Sequence, residues 1–305
     1  MADFLPLFGY VANPRGTEAY LSTLAKPLLT QAGPDLMLDE GRDVFLGAHL
    51  LALDPKWKRG GQKIGSCVGW GWALSVDILA ACDIAMRREP ESYGGRVLEA
   101  SVYAFSRVEA RGGKPAGMSD GSYGAAAGKA VTQYGTLHYG IDYGGQTFND
   151  NSGQREKAWG NTGVPNELEP FAANHCVSSV ALVKTFAEAA TAIQNGYPVA
   201  VCSNQGFTMT LRGGGYLTPA GSWSHCMMFA GVRWKPYPAL LCVNSWAECY
   251  SGDVDKTLPP QFQRCAGWVT EKTVNSMLRG EDSFALSGYS GFAPRLLDNW
   301  TGGVL

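Results

Sequence analysis

The sequence lacks the features that mark several classes of protein. Its 25 Lys and Arg are matched by 27 Asp and Glu, and no long run of charge is present, so we expect no nucleic-acid partner. No apolar run is long enough for a membrane span, so no membrane partner is expected. The N-terminus shows no basic region followed by an unbroken apolar core. A cytoplasmic or virion-associated location is therefore favoured over secretion.

Metal-binding spacing is missing too. The sequence has no C-x-x-C pair, and its four histidines show no zinc-type spacing, so we expect no metal and no cofactor. The eight cysteines are dispersed through 305 residues, unlike those of a small disulfide scaffold. We interpret most of them as reduced and buried. A bridge between Cys249 and Cys265, which flank a polar loop, stays open as an alternative.

One stretch, residues 65–88, organises the chain. After Gly65 and Ser66 it is apolar on nearly every side, which predicts a buried helix with Ser66 as its N-cap. Cys67 then lies in the first turn of that helix. Because a helix N-terminus favours the thiolate, Cys67 is a candidate nucleophile, although a lone cysteine is more often a small apolar core residue.

Helical patterns dominate the first half of the chain and strand patterns the second. The periodicity predicts further helices at 96–110, 125–135 and 178–196, and strands at 198–203, 225–234 and 238–246. Residues 136–175 are weakly patterned and are interpreted as a surface excursion with little regular structure. Helices first and an antiparallel sheet last indicate an α+β fold whose two halves face each other across a cleft.

Two downstream residues complement Cys67. His225 begins one apolar strand and Asn244 ends the next, so antiparallel pairing would bring their side chains together. An imidazole that takes the thiol proton, and is itself oriented by an amide, is the arrangement of a thiol nucleophile. The Cys67 N–H and the Gln62 side chain are candidate oxyanion donors. Taken alone, His225 would be a core histidine, Asn244 a turn residue and Gln62 an ordinary loop residue.

The motifs that carry these residues occur in a familiar order: QKIGSCVGWGWALS, DGSYGAAAGKAVTQYG, LRGGGY, SHCMMFAGV and VNSWAECYSG. Together they resemble the papain-like cysteine peptidases of the C1 type, and in particular their bacterial and phage-like branch, over roughly residues 60–275. The resemblance implies a papain-like fold. In that fold a helical half, with the central Cys67 helix, packs against an antiparallel sheet or barrel half.

The resemblance also implies a role for each catalytic residue. Cys67 would be the nucleophile, His225 the general base and later acid, and Asn244 the residue that orients the imidazole. Gln62 would complete the oxyanion hole with Cys67, although it lies five residues before the cysteine and Gly61 holds the family's glutamine position, six before.

Three further residues match supporting positions of the family. Gly121 and Ser122 would bind the backbone of an extended substrate, Ser122 standing where the family has a second glycine. Trp246 would shield the His–Asn hydrogen bond from water. After Trp246 the family's glycine and second tryptophan are absent.

The chain divides into three predicted segments. Residues 1–60 are a lead-in without a long charged helix, so we expect no large inhibitory propeptide. Residues 61–275 form the papain-like domain, and residues 276–305 are a tail. Within the domain we place a helical half, an insertion and a β half, at 61–135, 136–175 and 196–275.

The predicted function is that of a papain-like endopeptidase, which hydrolyses peptide bonds of a peptide or protein substrate through an acyl-enzyme on Cys67. One alternative is a non-catalytic structural or binding component of a larger assembly, such as a virion protein with protein partners, built on the same scaffold. Another is an acyltransferase or transglutaminase-type enzyme, which would use the same triad with a different acceptor.

Overall fold

We describe a computed structural model of the chain over residues 7–86, 93–113 and 119–295. Its helices are α1 (Pro14–Leu21), α2 (Leu29–Ala32), α3 (Gly47–Leu53), α4 (Cys67–Ala85), α5 (Glu99–Arg107), α6 (Gly124–Gln133), α7 (Gly153–Thr162), α8 (Glu169–Ala172), α9 (Phe186–Gln194), α10 (Pro260–Gln263) and α11 (Glu271–Leu278). Its strands are β1 (Val44–Phe45), β2 (Ser179–Leu182), β3 (Val199–Phe207), β4 (Thr210–Leu211), β5 (Pro219–Arg233), β6 (Ala239–Val243), β7 (Ser251–Gly252), β8 (Ala266–Thr270) and β9 (Phe284–Ser287).

An antiparallel sheet forms one half of the molecule. Its seven strands run in the order β2-β9-β3-β5-β6-β8, with β1 also paired to β5. The strand β5 is central and, at 15 residues, long enough to pair with β1, β3 and β6. The strands β5 and β6 are buried along most of their length, which explains their nearly continuous apolar runs. The predicted α+β fold class is confirmed.

The helix α4 lies at the centre, against β5 and α5. Trp70 and Trp72 are fully buried, as expected for a helix that is apolar on all sides. Its length and composition would suit a membrane span, but 83% of its most apolar window is buried in the protein, as in a core helix. A Cβ on Gly71 would lie 2.9 Å from the Cys226 sulfur, so the helix approaches the sheet closely at this glycine.

Several local predictions are corrected by the structure. The segment 178–196, predicted as one helix, contains the strand β2 followed by the helix α9. Ser66 occupies the N-cap position of α4, but its side chain makes no capping bond and donates instead to Glu156. Residues 136–175 are more ordered than their weak pattern suggested, since they contain α7 and α8. All eight cysteines are free, so the Cys249–Cys265 bridge is not formed. All six buried thiols belong to the main hydrophobic core.

The predicted lead-in and tail both contribute to the sheet. The strand β1 pairs with β5, and β9 lies between β2 and β3. These pairings join distant parts of the chain, which explains why short segments without marked periodicity form strands there. The division into segments at residues 60 and 275 stays a prediction.

One buried cation connects the loops around the N-terminus of α4. Arg107, at the end of α5, is 2% exposed. Its guanidinium donates at 2.6 Å to each of three backbone carbonyls, those of Gly160, Gly121 and Ser119. It also lies over the ring of Tyr103, at 5.3 Å from the ring centroid. This side chain therefore ties α5 and α7 to the loop that carries Gly121.

We expect Arg107→Met to destabilise the fold strongly, because it removes a buried donor set and leaves three carbonyls unpaired. The loss in free energy of unfolding should be about 3–5 kcal/mol, measured by urea denaturation. The control is Arg111→Met, at an exposed position nearby, which should change stability by less than about 0.5 kcal/mol. Equal stability of the two variants would contradict this role for Arg107.

Candidate active site

His225 and Asn244 meet at the paired strands β5 and β6. His225 Nε2 and Asn244 Oδ1 are 2.8 Å apart, and both residues are fully buried. Asn244 Nδ2 donates to the Tyr250 hydroxyl at 2.9 Å, which fixes the orientation of the amide. The amide oxygen therefore faces the imidazole and accepts a hydrogen bond from its Nε2–H group. Tyr250 was not identified from the sequence, because no local pattern connects it with Asn244.

The other ring nitrogen of His225 is available. Its Nδ1 is buried without a hydrogen-bond partner in the part of the chain that the structure describes. Trp246 stacks on the imidazole, with ring centroids 4.3 Å apart at an interplanar angle of 29°. Trp246 thus covers one face of the ring whose Nε2 is bonded to Asn244, which is the position expected of a shielding side chain.

Cys67 lies beside this pair. Its sulfur accepts the backbone N–H of Cys226 at 3.4 Å, and Cys226 directly follows His225 in β5. Backbone hydrogen bonds from the N–H groups of Gly9 and Val68 to the sulfur lower the pKa of the thiol and so favour its thiolate. The structure therefore brings the three predicted residues Cys67, His225 and Asn244 together, where α4 begins against the sheet. Between these described side chains no thiol–imidazole hydrogen bond forms.

Burial keeps both reacting groups neutral. Removal from water raises the pKa of the Cys67 thiol well above its ordinary value, and the neighbouring Cys226 raises it further. Burial also lowers the pKa of His225 to about 4, in spite of its bond to Asn244. At pH 7 the site thus holds a thiol and an uncharged imidazole. A thiolate–imidazolium pair needs a more hydrated site than this one.

The cover over Cys67 is residues 7–11, which we call the N-terminal strap. Ser122 N–H donates to Gly9 O at 2.9 Å, and Val11 N–H donates to Ser122 O at 2.8 Å. On its other side the strap donates from Gly9 and Tyr10 to Ser224 O, at 3.2 and 3.0 Å. The strap therefore lies between the two halves as an extended segment, joined to both by backbone hydrogen bonds and to Ser122 by an isolated bridge at Tyr10. Sequence analysis missed it, because five residues without periodicity give no signal.

Gln62 is directed at one carbonyl of the strap. Its Nε2 donates to Leu7 O at 3.1 Å and to Ile64 O at 2.9 Å, while its Oε1 accepts from the Ser245 hydroxyl. Trp246 Nε1 donates to the same Leu7 oxygen, also at 3.1 Å. Although Gln62 lies one position from the family's glutamine, its amide and the Trp246 indole donate to the same peptide carbonyl of the strap, two residues before the Gly9 N–H that bonds the Cys67 sulfur.

Gly121 and Ser122 form the wall opposite β5. A Cβ on Gly121 would lie 2.9 Å from Gly9 O, and the φ of Gly121, +111°, favours glycine. A larger residue at position 121 would therefore keep the strap from lying this close to the wall. The hydroxyl of Ser122 donates to Ser106 O at 3.3 Å and therefore points away from the strap. A serine fits in place of a second glycine because only its backbone faces the groove.

A carboxylate from α7 supports the turn that carries Cys67. Glu156 is 2% exposed and accepts from the Ser66 hydroxyl at 2.8 Å and from Trp70 Nε1 at 2.7 Å. These donors flank Cys67 in sequence, so Glu156 fixes the first turn of α4. Burial raises the pKa of Glu156 to about 7, partly opposed by the two donors. Glu156 was not identified from the sequence, because the segment around α7 has no clear helical periodicity.

We expect Glu156→Gln to change the pH dependence of stability. In the folded protein Glu156 stays protonated up to about pH 7. In the unfolded chain the same carboxyl group loses its proton near the ordinary, lower pKa of a glutamate. The free energy of unfolding of the native protein should thus fall as pH rises between these values, by about 2 kcal/mol from this group. Glutamine retains a partner for Ser66 and Trp70 and removes this slope. Urea denaturation at pH 5 and pH 8 measures the difference; parallel profiles for both proteins would contradict it.

The geometry can be compared with known proteins. No protein-family model and no curated protein sequence matches the chain. Among solved structures, xylellain, a cysteine protease from Xylella fastidiosa, is 13% identical with a TM-score of 0.54, and the match covers 94% of both chains. Procathepsin L 3 of Tenebrio molitor is 12% identical with a TM-score of 0.49, over 92% of this chain and 83% of its own. ProCathepsin B S9 from Trypanosoma congolense is 11% identical with a TM-score of 0.49, over 91% and 89%.

At such identities the likeness is one of fold, and the bacterial and phage-like branch stays a prediction. The match to xylellain extends over nearly the whole of both chains, including the regions outside residues 60–275 that the sequence motifs did not reach. It agrees with a helical half that presents Cys67 to an antiparallel sheet. This protein has the fold of the papain-like cysteine peptidases.

Proposed function

We propose that this chain is a cysteine peptidase whose active site is Cys67, His225 and Asn244, held covered by the N-terminal strap. The observation that carries the proposal is the strap itself. An extended peptide lies against Cys67, with backbone bonds to Ser122 and a carbonyl bonded to Gln62. A groove that pairs with a peptide backbone in this way is suited to a peptide or protein substrate.

The residues have complementary roles in the proposed reaction. Cys67 Sγ attacks the substrate carbonyl while its proton passes to His225 Nδ1, the unpartnered nitrogen. The bond from Nε2 to Asn244 holds the tautomer that leaves Nδ1 free to accept. His225 then gives the proton to the leaving amine, and a thioester remains on Cys67. Water, deprotonated by His225, hydrolyses that thioester and restores the thiol.

The charge that develops on the substrate oxygen needs donors. The backbone N–H of Cys67 lies at the N-terminus of α4, where helix N–H groups are unpaired and the dipole favours negative charge. The second donor is Gln62 Nε2, which in the covered state bonds a peptide carbonyl of the strap. A carbonyl oxygen of the substrate takes the place of Leu7 O when the strap leaves.

A non-catalytic scaffold is the competing function, and the observation that favours it is the complete burial of Cys67. A binding protein needs no accessible thiol, whereas a peptidase needs the strap to leave. The two functions therefore differ in what happens to Cys67 once the strap is displaced. An acyltransferase would share the uncovered triad and would differ in using an amine rather than water as acceptor.

The strap can be displaced in the full-length chain by Gly9→Val. A Cβ on Gly9 would lie 1.9 Å from the Gly65 carbonyl oxygen, a backbone atom that cannot give way, so valine forces the strap off. We expect the rate of Cys67 alkylation by iodoacetamide at pH 7 to rise at least about tenfold as burial no longer raises the thiol pKa. Mass spectrometry of tryptic peptides distinguishes Cys67 from the exposed Cys176.

Two further variants make this test specific. Gly94→Val is the control, since a Cβ on Gly94 would meet nothing within 4 Å, and it should leave Cys67 protected. Adding His225→Ala to Gly9→Val should return the pH midpoint of alkylation to about 8.5, the value of a free thiol, whereas the uncovered site with His225 should titrate well below it. Hydrolysis of a peptide library should appear with Gly9→Val and vanish when Cys67→Ala is added. If the uncovered Cys67 titrates like a free thiol, the scaffold function replaces the peptidase.

A further inference from the structure

Two buried cysteines face each other across the strands β3 and β5. Cys202 and Cys226 are register partners in this antiparallel pair, and both are fully buried. Their thiols lie within hydrogen-bond distance of each other. Neither thiol takes part in the proposed hydrolysis, so the pair is a cluster of nucleophilic groups that the triad leaves unused.

The backbone bonds show which kind of antiparallel pair this is. The N–H of Cys202 donates to Ser283 Oγ, just before β9, and the N–H of Cys226 donates to the Cys67 sulfur. Both N–H groups are thus engaged outside the pair, which identifies it as a non-hydrogen-bonded pair. The Cα atoms of such a pair are about 4.5 Å apart, within the range of about 4.4–6.8 Å that a disulfide spans. A Cys202–Cys226 disulfide can therefore form without a large movement of the backbone.

Cys226 also lies next to the nucleophile. Besides the 3.4 Å bond from its N–H to the Cys67 sulfur, its own sulfur packs against α4, 2.9 Å from the place of a Cβ on Gly71. Gly71 is four residues after Cys67, on the same face of the helix. Burial raises the pKa of Cys202, and the Cys226 thiol adds more to this rise than the Cys67 thiol does. Cys226 therefore stands between Cys67 and Cys202.

These thiols are protected while the strap covers the site. Burial raises the pKa of Cys67 and of Cys202 well above the ordinary value of a thiol, and the protonated thiol is a poor nucleophile. The strap lies directly on Cys67, since the Gly9 N–H bonds its sulfur. When the strap leaves, Cys67 is the first of the three thiols to meet solvent. A small oxidant therefore enters the cluster at Cys67.

We propose that Cys226 and Cys202 form a redox relay, which returns an oxidised Cys67 to its thiol and ends as a cross-strand disulfide. The proposal rests on the displacement of the strap described above but not on peptide hydrolysis. The oxidant is hydrogen peroxide, which is small enough to enter a groove that opens only along the strap.

The steps balance with one molecule of peroxide. The Cys67 thiolate attacks one peroxide oxygen, the O–O bond breaks, and Cys67 becomes a sulfenic acid as water leaves. The Cys226 sulfur then attacks the Cys67 sulfur and displaces a second water, which forms a Cys67–Cys226 disulfide. The Cys202 sulfur attacks the Cys226 sulfur, and Cys67 leaves as a thiolate that takes the Cys202 proton. In sum, Cys202 and Cys226 lose two electrons and two protons, and the peroxide becomes two waters.

The first test uses the full-length Gly9→Val protein with one equivalent of hydrogen peroxide. Trypsin cleaves after Arg212, between Cys202 and Cys226, so their disulfide appears in mass spectra as two linked peptides. We expect this linkage to be the main product of oxidation, while Cys67 still reacts with iodoacetamide. Conversion of Cys67 to a sulfinic acid, with both other thiols still reduced, would overturn the proposal.

Serine variants in the Gly9→Val background separate the steps. With Cys202→Ser the last exchange is missing, so a linked Cys67–Cys226 pair should accumulate, and dithiothreitol should restore alkylation of Cys67. With Cys226→Ser no thiol resolves the sulfenic acid, so Cys67 should pass to a sulfinic acid, which dithiothreitol does not reduce. The control is Cys82→Ser, at a fully buried thiol of the same helix α4, which should leave the products unchanged. The Gly9→Val result decides the proposal by itself if a serine variant fails to fold.

A further variant tests where the oxidant enters. Adding Cys67→Ala to Gly9→Val should slow formation of the Cys202–Cys226 disulfide at least about tenfold, because buried thiols without an activated thiolate react slowly. An equal rate of disulfide formation without Cys67 would overturn the relay.

The outcomes for the relay and for the peptidase are distinguishable. If Gly9→Val hydrolyses no peptide but forms the Cys202–Cys226 disulfide through Cys67, the relay stands and the peptidase function falls. If Gly9→Val cleaves peptides but peroxide oxidises Cys67 irreversibly, the peptidase function stands and the relay is wrong.

Discussion

The contact between the first turns of α4 and the middle of the long strand β5 sets the rest of the structure. There the Cys226 N–H points at the Cys67 sulfur, and Gly71 lets the helix backbone lie against the strand. A helix that is apolar on every side must be surrounded by protein, because each large apolar side chain left in water loses about 1.5–3 kcal/mol of stabilisation from burial. The sheet, α3, α5 and the turn held by Glu156 supply those surroundings, and together they fix where the thiol is.

The burial of Cys67 and His225 determines their protonation states as well as the packing of the fold. A charged pair of thiolate and imidazolium is unfavourable in a site sealed from water, so the covered protein keeps both groups neutral. The contacts that orient the pair do not depend on the cover: the bond of His225 to Asn244, and of Asn244 to Tyr250, lie within the sheet and the loop that follows β6. Displacing the strap therefore changes the hydration of a site whose geometry is otherwise assembled.

The sequence was most informative where local pattern and core burial coincide. The periodicity of α4 and the apolar runs of β5 and β6 predicted a buried helix and two adjacent strands, and the pairing of these strands joins His225 to Asn244. Glu156 was not predictable, because its importance comes from bonds to Ser66 and Trp70, some 90 positions earlier in the chain. The strap was equally unpredictable, since residues 7–11 have no periodicity and are held by backbone bonds to Ser122 and Ser224, which are distant in the chain.

The strap relates the covered state of the site to its proposed function. Its backbone occupies the groove through bonds to Ser122 and Ser224, and its Leu7 carbonyl accepts from Gln62 and Trp246. Any peptide that displaces it must provide the same backbone pairing. Because the covering segment and a substrate would compete for identical groups, a change that weakens the backbone pairing of the strap also weakens the binding of a substrate. The strength of the cover and the affinity for substrate are therefore coupled in this site.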